Sequence, residues 1–180
     1  MKVKTFGGKK LAIRTMRNAD LTRARDFQSF INSLVGEDVK ILIDKKMTLK
    51  DEAEFLRKAL KGVKKRTRVQ LVAEHGDKIV GVAHVELGRY KKNHIGNFGI
   101  SIIGGYRGLG LGSCLTSELI KLARKELKPR PKIIQLEVYA NNKPAIGLYK
   151  KMGFKTVARL PKQIQHKGKL VDALIMLKYA

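Results

Sequence analysis

The sequence predicts a mixed α/β fold of about seven strands and about four helices, and three observations carry that reading. Short apolar runs bounded by Gly, Pro, Asn and Asp recur along the chain. They interleave with four stretches whose apolar residues return every three or four positions, the period of a helix with one buried face. A glycine-rich stretch, Arg107-Gly108-Leu109-Gly110-Leu111-Gly112, joins one such run to one of the helical stretches. At 180 residues and 43% hydrophobic content the chain is long enough to bury a proper core, and 1–180 reads as one domain.

Residues 11–16, Leu-Ala-Ile-Arg-Thr-Met, give the first strand. The helix after it has Asp20 near its start and Leu21, Ala24, Phe27, Ile31 and Leu34 at helical spacing. Residues 40–46 form a short linker with an apolar centre. Thr48, with Asp51 three positions on, resembles a capping box with Asp in place of Glu. It opens a second amphipathic helix carrying Ala53, Leu56 and Leu60 that ends near Gly62. Residues 68–88 read as a hairpin, with Val69, Leu71 and Ala73 alternating before Gly76-Asp77 and Ile79, Val80, Val82 and Val85 after it. A strand at 95–103 leads into the glycine loop, and a central helix over 113–127 buries Leu115, Leu119 and Leu122. Pro129 and Pro131 end that helix before a strand at 132–139. A fourth helix spans 142–152. Strands at 154–160 and 170–179 close the chain around a turn at 163–168.

Charge is the unusual quantity. Lysine and arginine total 39 against 15 acidic residues, a net charge of +24. Basic residues cluster at 57–68, 89–92 and 121–132. Such a field attracts nucleic acid, anionic membranes and acidic cofactors. Aromatics are scarce at 6% and are not interleaved with the basic runs, so the expectation is a solvated surface with at most weak nucleic-acid association. No apolar run reaches the roughly 18 residues of a membrane span, and residues 1–4 lack a signal-peptide core, which leads to the expectation of a cytoplasmic protein without a membrane partner. The one cysteine, Cys114, excludes an internal disulfide, and the four histidines are dispersed, so no metal site is expected.

Glycines at alternate positions let a backbone approach a ligand closely, and the free N–H groups of the following helix carry about half a positive charge. That construction suits phosphate. Taken alone, the loop reads equally well as a tight turn. Common nucleotide motifs do not fit: Ser113 stands where G-x-G-x-x-G needs its third glycine, and no Gly-Lys-Ser/Thr follows.

The segment from Gln135 to Phe154 changes that balance. It runs strand, turn, short helix and strand start, with Asn142-Lys-Pro-Ala145 followed by Leu148-Tyr149-Lys-Lys-Met-Gly153-Phe154. With Arg107-x-x-Gly110-x-Gly112, these residues closely resemble the GNAT superfamily of acyl-CoA-dependent N-acyltransferases. The family's pyrophosphate motif is Gln/Arg-x-x-Gly-x-Gly/Ala, and its second motif is Asn-x-x-Ala, then Leu-Tyr-x-x-x-Gly-Phe. The resemblance is strong over residues 69–154. It implies a largely antiparallel sheet and an enzyme that transfers an acetyl group from acetyl-CoA to a primary amine by direct transfer.

Carried over residue by residue, the resemblance implies that Gly108, Gly110, Gly112 and Ser113 offer backbone N–H groups to the CoA pyrophosphate, while Arg107 braces the turn or pairs with phosphate. Ile102 falls at the strand end where the family binds pantetheine through the backbone. Asn142 matches the position that bonds the pantetheine arm, and is also a natural helix N-cap. Tyr149 sits at the general-acid position facing the sulfur. Glu137, twelve residues earlier, gives the Glu-to-Tyr spacing of the ribosomal-protein N-terminal acetyltransferases, where the carboxylate is the base. Two departures stand out. Gly104-Gly105 replaces the usual proline, which predicts a looser loop, and Asn97 replaces a common alternative base, leaving Glu137, Glu86 or water. Cys114 reads as a small buried residue. The expected acceptor is a protein N-terminus, with a polyamine or other small amine as the alternative, because Glu37, Asp38, Asp44, Asp51, Glu52 and Glu54 gather in the segment that would face it. A binding protein that keeps the fold and associates with nucleic acid is the reading outside the enzyme class.

Overall fold

The computed structural model describes residues 1–37 and 39–179, so Asp38 of the acidic segment lies outside the described residues. Eight strands form one sheet: β1 (Lys2–Phe6), β2 (Lys9–Thr15), β3 (Arg68–His75), β4 (Lys78–Leu87), β5 (Ile95–Ile102), β6 (Ile133–Tyr139), β7 (Lys155–His166) and β8 (Lys169–Tyr179). Their spatial order is β1-β2-β3-β4-β5-β6-β8-β7. Every neighbouring pair is antiparallel except β5 and β6. Four helices complete the fold: α1 (Ala24–Gly36), α2 (Leu49–Lys64), α3 (Leu111–Glu126) and α4 (Lys143–Lys151).

The strand sequences sort the helices onto two faces. Side chains alternate along a strand, so Gly81 and Ile102 point toward Leu115 of α3; a Cβ on Gly81 would come within 3.3 Å of that leucine. Val82, His84, Gly99 and Asn97 then look the other way, toward the layer where α1 packs on β4 and α2 on β3. One core joins both layers, with Leu11, Leu34, Leu56, Leu115, Leu119 and Ile134 fully buried.

The structure departs from the sequence reading at several boundaries. β1 was not expected, because four of its five residues are exposed and it carries no apolar alternation; it is held by antiparallel pairing with β2. β7 continues through Gln163–Gln165 to His166, so the expected turn shrinks to Lys167-Gly168. Asp20 lies in a 3₁₀ turn, Asn18–Arg23, rather than in α1. α3 begins at Leu111, because Gly110 takes a left-handed conformation (φ +90°) that no other residue adopts cheaply and so caps the helix itself. Thr48 does cap α2, accepting from the Asp51 N–H at 3.2 Å.

A buried ionic cluster fixes the layer that carries α1 and α2. Arg14 on β2 is 5% exposed and reaches two carboxylates, each through two bonds: Glu74 on β3 at 2.8 and 2.8 Å, and Asp20 of the 3₁₀ turn at 2.7 and 2.9 Å. Asp20 also accepts the Arg17 N–H at 2.8 Å, and Arg23 closes the cluster on Glu74 and, at 2.7 Å, on Asp26. The two guanidiniums hold the Glu74 carboxyl below its ordinary range despite the opposing effect of burial. Paired forks of this kind are strong because both partners are charged and geometrically matched. Removing Glu74 leaves Arg14 with Asp20 alone and strips buried guanidinium N–H donors of their acceptor, so Glu74→Ala is expected to lower unfolding free energy by about 3 kcal/mol in urea titrations. A loss under about 1 kcal/mol would show that the cluster does not hold this layer.

Candidate active site

β5 and β6 pair over three registers, Ile95↔Ile133 to Asn97↔Gln135, and the pairing stops there. Beyond that point β5 runs on against β4 to Ile102, and β6 against β8 to Tyr139. Where the strands part, a cavity of about 1210 Å³ opens, roofed by α1, α2 and the chain between them. Gly108, Gly110, Gly112, Ser113, Ile102, Arg107, Glu137, Asn142 and Tyr149 all stand on its wall, so the residues singled out in the sequence come together in space.

The glycine loop and the first turn of α3 form one flank. Gly108 and Gly110 both have positive φ, and nothing lies within 4 Å of the point where a Cβ on Gly108 would sit. The first-turn amides of α3 have no helical acceptor, and Gly112 and Ser113 of that turn stand on the cavity wall. Gly112 serves a different purpose: a Cβ there would come within 3.1 Å of Leu148, so glycine is what lets α3 meet α4. Arg107 is a brace. Its Nε donates to the Ile102 carbonyl at 2.6 Å, and its Nη2 pairs with Glu37. Glu37 also accepts the Gly104 N–H at 3.0 Å through both oxygens. A proline at 104 would lack that N–H, so the Gly104-Gly105 loop gains from Glu37 the restraint that proline supplies elsewhere.

On the opposite flank Asn142 caps α4, its Oδ1 accepting the Ala145 N–H at 3.4 Å. Two turns further Tyr149 is the buried residue of α4, 7% exposed and edge-on to Phe98 and Phe154 at centroid distances of 5.9 Å. Burial pushes its phenol up to about 12, which keeps it protonated at neutral pH. Glu137 is exposed and stands where this cavity meets a second one of about 530 Å³, with Tyr139 and Ile41 on the same shared wall. Glu86 is tied instead to Arg68 Nη1 at 2.6 Å, and Asn97 donates to the Glu86 carbonyl at 3.3 Å. Cys114 is half-buried and accepts from Lys4 Nζ at 3.5 Å.

The inner wall carries residues without an individual role in the sequence reading, Glu52 among them as one of the acidic residues of the acceptor-facing segment. Arg68 and Gln70 sit two apart on β3, so both face the cavity, and Arg68 donates to Gln70 Oε1 from Nε at 3.2 Å and from Nη2 at 2.9 Å. Burial and the Arg68 charge bring His84 down to about 3, so the ring is neutral. Glu52 is 5% exposed, and burial alone pushes its carboxyl up to about 7. The helical spacing 52-56-60 places Glu52 on the same stripe as Leu56 and Leu60, the signal that would have marked it as inward-facing.

The sequence model of the Acetyltransferase (GNAT) family matches residues 37–154. The chain is 33% identical over 110 residues to L-amino acid N-acetyltransferase AaaT of Escherichia coli (strain K12), covering 61% of this chain and 67% of that protein. It is 43% identical over 67 residues to an N-alpha-acetyltransferase of Sulfurisphaera tokodaii, covering 37% of this chain and 38% of that protein. The solved acetyltransferase of GNAT family from Streptococcus pneumoniae superposes with a TM-score of 0.82 at 27% identity, over 94% of this chain and 99% of that one. Two acetyltransferases of the same fold have been solved with acetyl-CoA.

The Glu52 carboxyl fixes a pH dependence of stability. Its folded value of about 7 lies above the ordinary 4.5, so the folded state binds the proton more tightly and stability falls as pH rises from 4.5 through 7. The cost above pH 7 is about 3 kcal/mol. Glu52→Gln is therefore expected to melt several degrees above the parent at pH 8 and level with it near pH 4.5, read by calorimetry. A gain independent of pH would contradict this assignment.

Proposed function

The chain belongs to the GNAT family of acetyltransferases, and we propose that it transfers the acetyl group of acetyl-CoA to an α-amino group, foremost the N-terminus of a polypeptide. It is an amine N-acetyltransferase; the proposal concerns the acceptor and the roles of individual residues. What supports it most is that the loop amides, Tyr149 and Glu137 share one cavity at the parting of β5 and β6.

The loop fits a pyrophosphate. Open ground over Gly108, the left-handed Gly110 and the first-turn amides offer donors to a dianion without a side chain in the way. Gly108, Gly110, Gly112 and Ser113 hold the phosphates in this reading, and Arg107 keeps the loop in shape. The Ile102 backbone and Asn142 receive the pantetheine arm, with an N–H at the strand end polarising the acetyl carbonyl.

Two proton movements remain for the side chains. The amine arrives as an ammonium and must lose a proton before its lone pair can attack, and Glu137, exposed at the junction of the two cavities, takes it. The departing sulfur needs a proton, and Tyr149 supplies it from a phenol that burial keeps protonated. The α-amine is favoured because one named relative is an N-alpha-acetyltransferase and the other an L-amino acid N-acetyltransferase. A polypeptide is favoured because the 530 Å³ cavity beyond Glu137 gives a chain room past its first residues. A small amine is the second reading, favoured by the acidic Glu52 on the inner wall. The +24 surface steers anions toward the loop and keeps the protein dispersed, rather than forming a nucleic-acid groove.

Gly110→Val forces a β-branched residue into φ +90°. Acetyl-CoA affinity measured by calorimetry is expected to fall at least tenfold, and equal affinity would remove the loop from the site. In a thiol-release assay, Tyr149→Phe is expected to lower turnover by about 10²–10⁴ with CoA affinity preserved. In the same assay, peptides with free N-termini should turn over faster than lysine side chains, polyamines or aminoglycosides. Turnover unchanged in Tyr149→Phe would mean that the phenol only packs, and the reverse order of acceptors would move the assignment to small amines.

A further inference from the structure

Glu52 is the one buried carboxylate on the cavity wall that makes no hydrogen bond or ion pair among the described residues. An ionised side chain as little exposed as this one is retained when something compensates it, because an unpaired, largely buried charge costs several kcal/mol. No protein cation does so here. The elements packed on α2 are α1, β3 and the 3₁₀ turn. Their buried charges are already spent: Asp20 on Arg14, Glu74 on Arg14 and Arg23, and Arg68 on Glu86. His84, on β4 beyond them, is neutral, and Glu37 is engaged by Arg107.

The surroundings suit a cation. Phe27, Phe30 and Phe55 line the same cavity, and ring faces attract positive charge. One of those rings already does so, since the Arg68 guanidinium lies 5.3 Å from the Phe55 centroid. The chain's overall charge of +24 would otherwise repel a cationic acceptor, so a negative group here acts against that field.

We propose that Glu52, on the cavity wall that Phe27, Phe30 and Phe55 also line, is a subsite for a second positive charge on the acceptor, an alkylammonium or guanidinium group distinct from the amine that is acetylated. This rests on the N-acetyltransferase reading of the same cavity. It deepens that reading by naming what the acceptor carries: a cationic side chain on the first residue of a polypeptide, or the far amine of a diamine. The shift of the Glu52 carboxyl toward neutral pH is what an empty cation subsite has; an arriving cation draws it down and releases a proton.

Two matched pairs of acceptors differ only in that charge: a lysine-initiated against a norleucine-initiated tetrapeptide, and 1,5-diaminopentane against pentylamine. The parent enzyme with acetyl-CoA is expected to favour the charged member of at least one pair at least tenfold in kcat/KM at pH 8, and Glu52→Gln to bring that ratio near one. The two pairs tell a polypeptide from a diamine. Glu52→Asp, which keeps the charge, should retain part of the preference. Calorimetric binding of the same four compounds gives a readout that needs no turnover: the charged probe should bind the parent more tightly and release a proton at pH 7, and lose both properties in Glu52→Gln. A ratio or a binding difference that Glu52→Gln leaves unchanged overturns the subsite. If no amine is acetylated while the charged probes still bind through Glu52, the subsite stands and the acetyltransfer reading falls.

Discussion

Two parallel strands that pair for three residues and then separate impose the conditions under which everything else in the molecule is arranged. Each strand keeps a partner on its outer side, β4 for β5 and β8 for β6, so the sheet survives the split. The inner edges past Asn97 and Gln135 are left with backbone groups that protein strands do not take up. Buried backbone polar groups require partners, and α1, α2, α3 and α4 close around the gap instead of filling it. The glycine loop lies at the end of one diverging strand and the cap of α4 at the end of the other, which is why both flanks of the cavity present backbone amides and short polar side chains.

A gap of this kind is useful only if its roof stays in place. Two sets of charges do that work at different depths. The Arg14 cluster ties β2, β3 and the turn before α1 together in the interior. Glu37, just beyond α1, ties the roof to the glycine loop through Gly104 and Arg107. The roof and the loop are thus joined by one carboxylate. Anything that competes for Arg107 also competes with Glu37, at the start of the chain between α1 and α2.

Most of this fold is legible in the residues because apolar periodicity and turn chemistry agree along the chain. α2 shows both a Thr48 cap and an apolar stripe, and β4 and β5 alternate clearly. What escaped has a common physical reason: it depends on partners distant in sequence. β1 is a strand because β2 accepts it, and its own side chains are Lys, Val, Lys and Thr facing water. In the site, residues within the loop and the α4 motif could be read because their spacing carries the geometry. Glu37 could not, since its meaning comes from Gly104 and Arg107 about seventy positions away. Glu52 was readable from its helical phase but looked like one more acidic residue in an acidic segment. Arg68 ends a basic run that is otherwise surface, and alternation alone does not say that its charge turns inward toward Gln70 and Glu86.

Both edges of the sheet are basic. β1 sets Lys2 and Lys4 on one margin, and β7 sets Lys155, Arg159 and Lys162 on the other, all exposed. An open edge is a template for another strand, and a second molecule of this chain would have to bring one cationic margin against another. A small part of the +24 charge, the five cations on these two margins, therefore has a purpose unrelated to any ligand. The sheet ends in two open margins, lysine and arginine stand along both, and like charge keeps each molecule from being lengthened by the next.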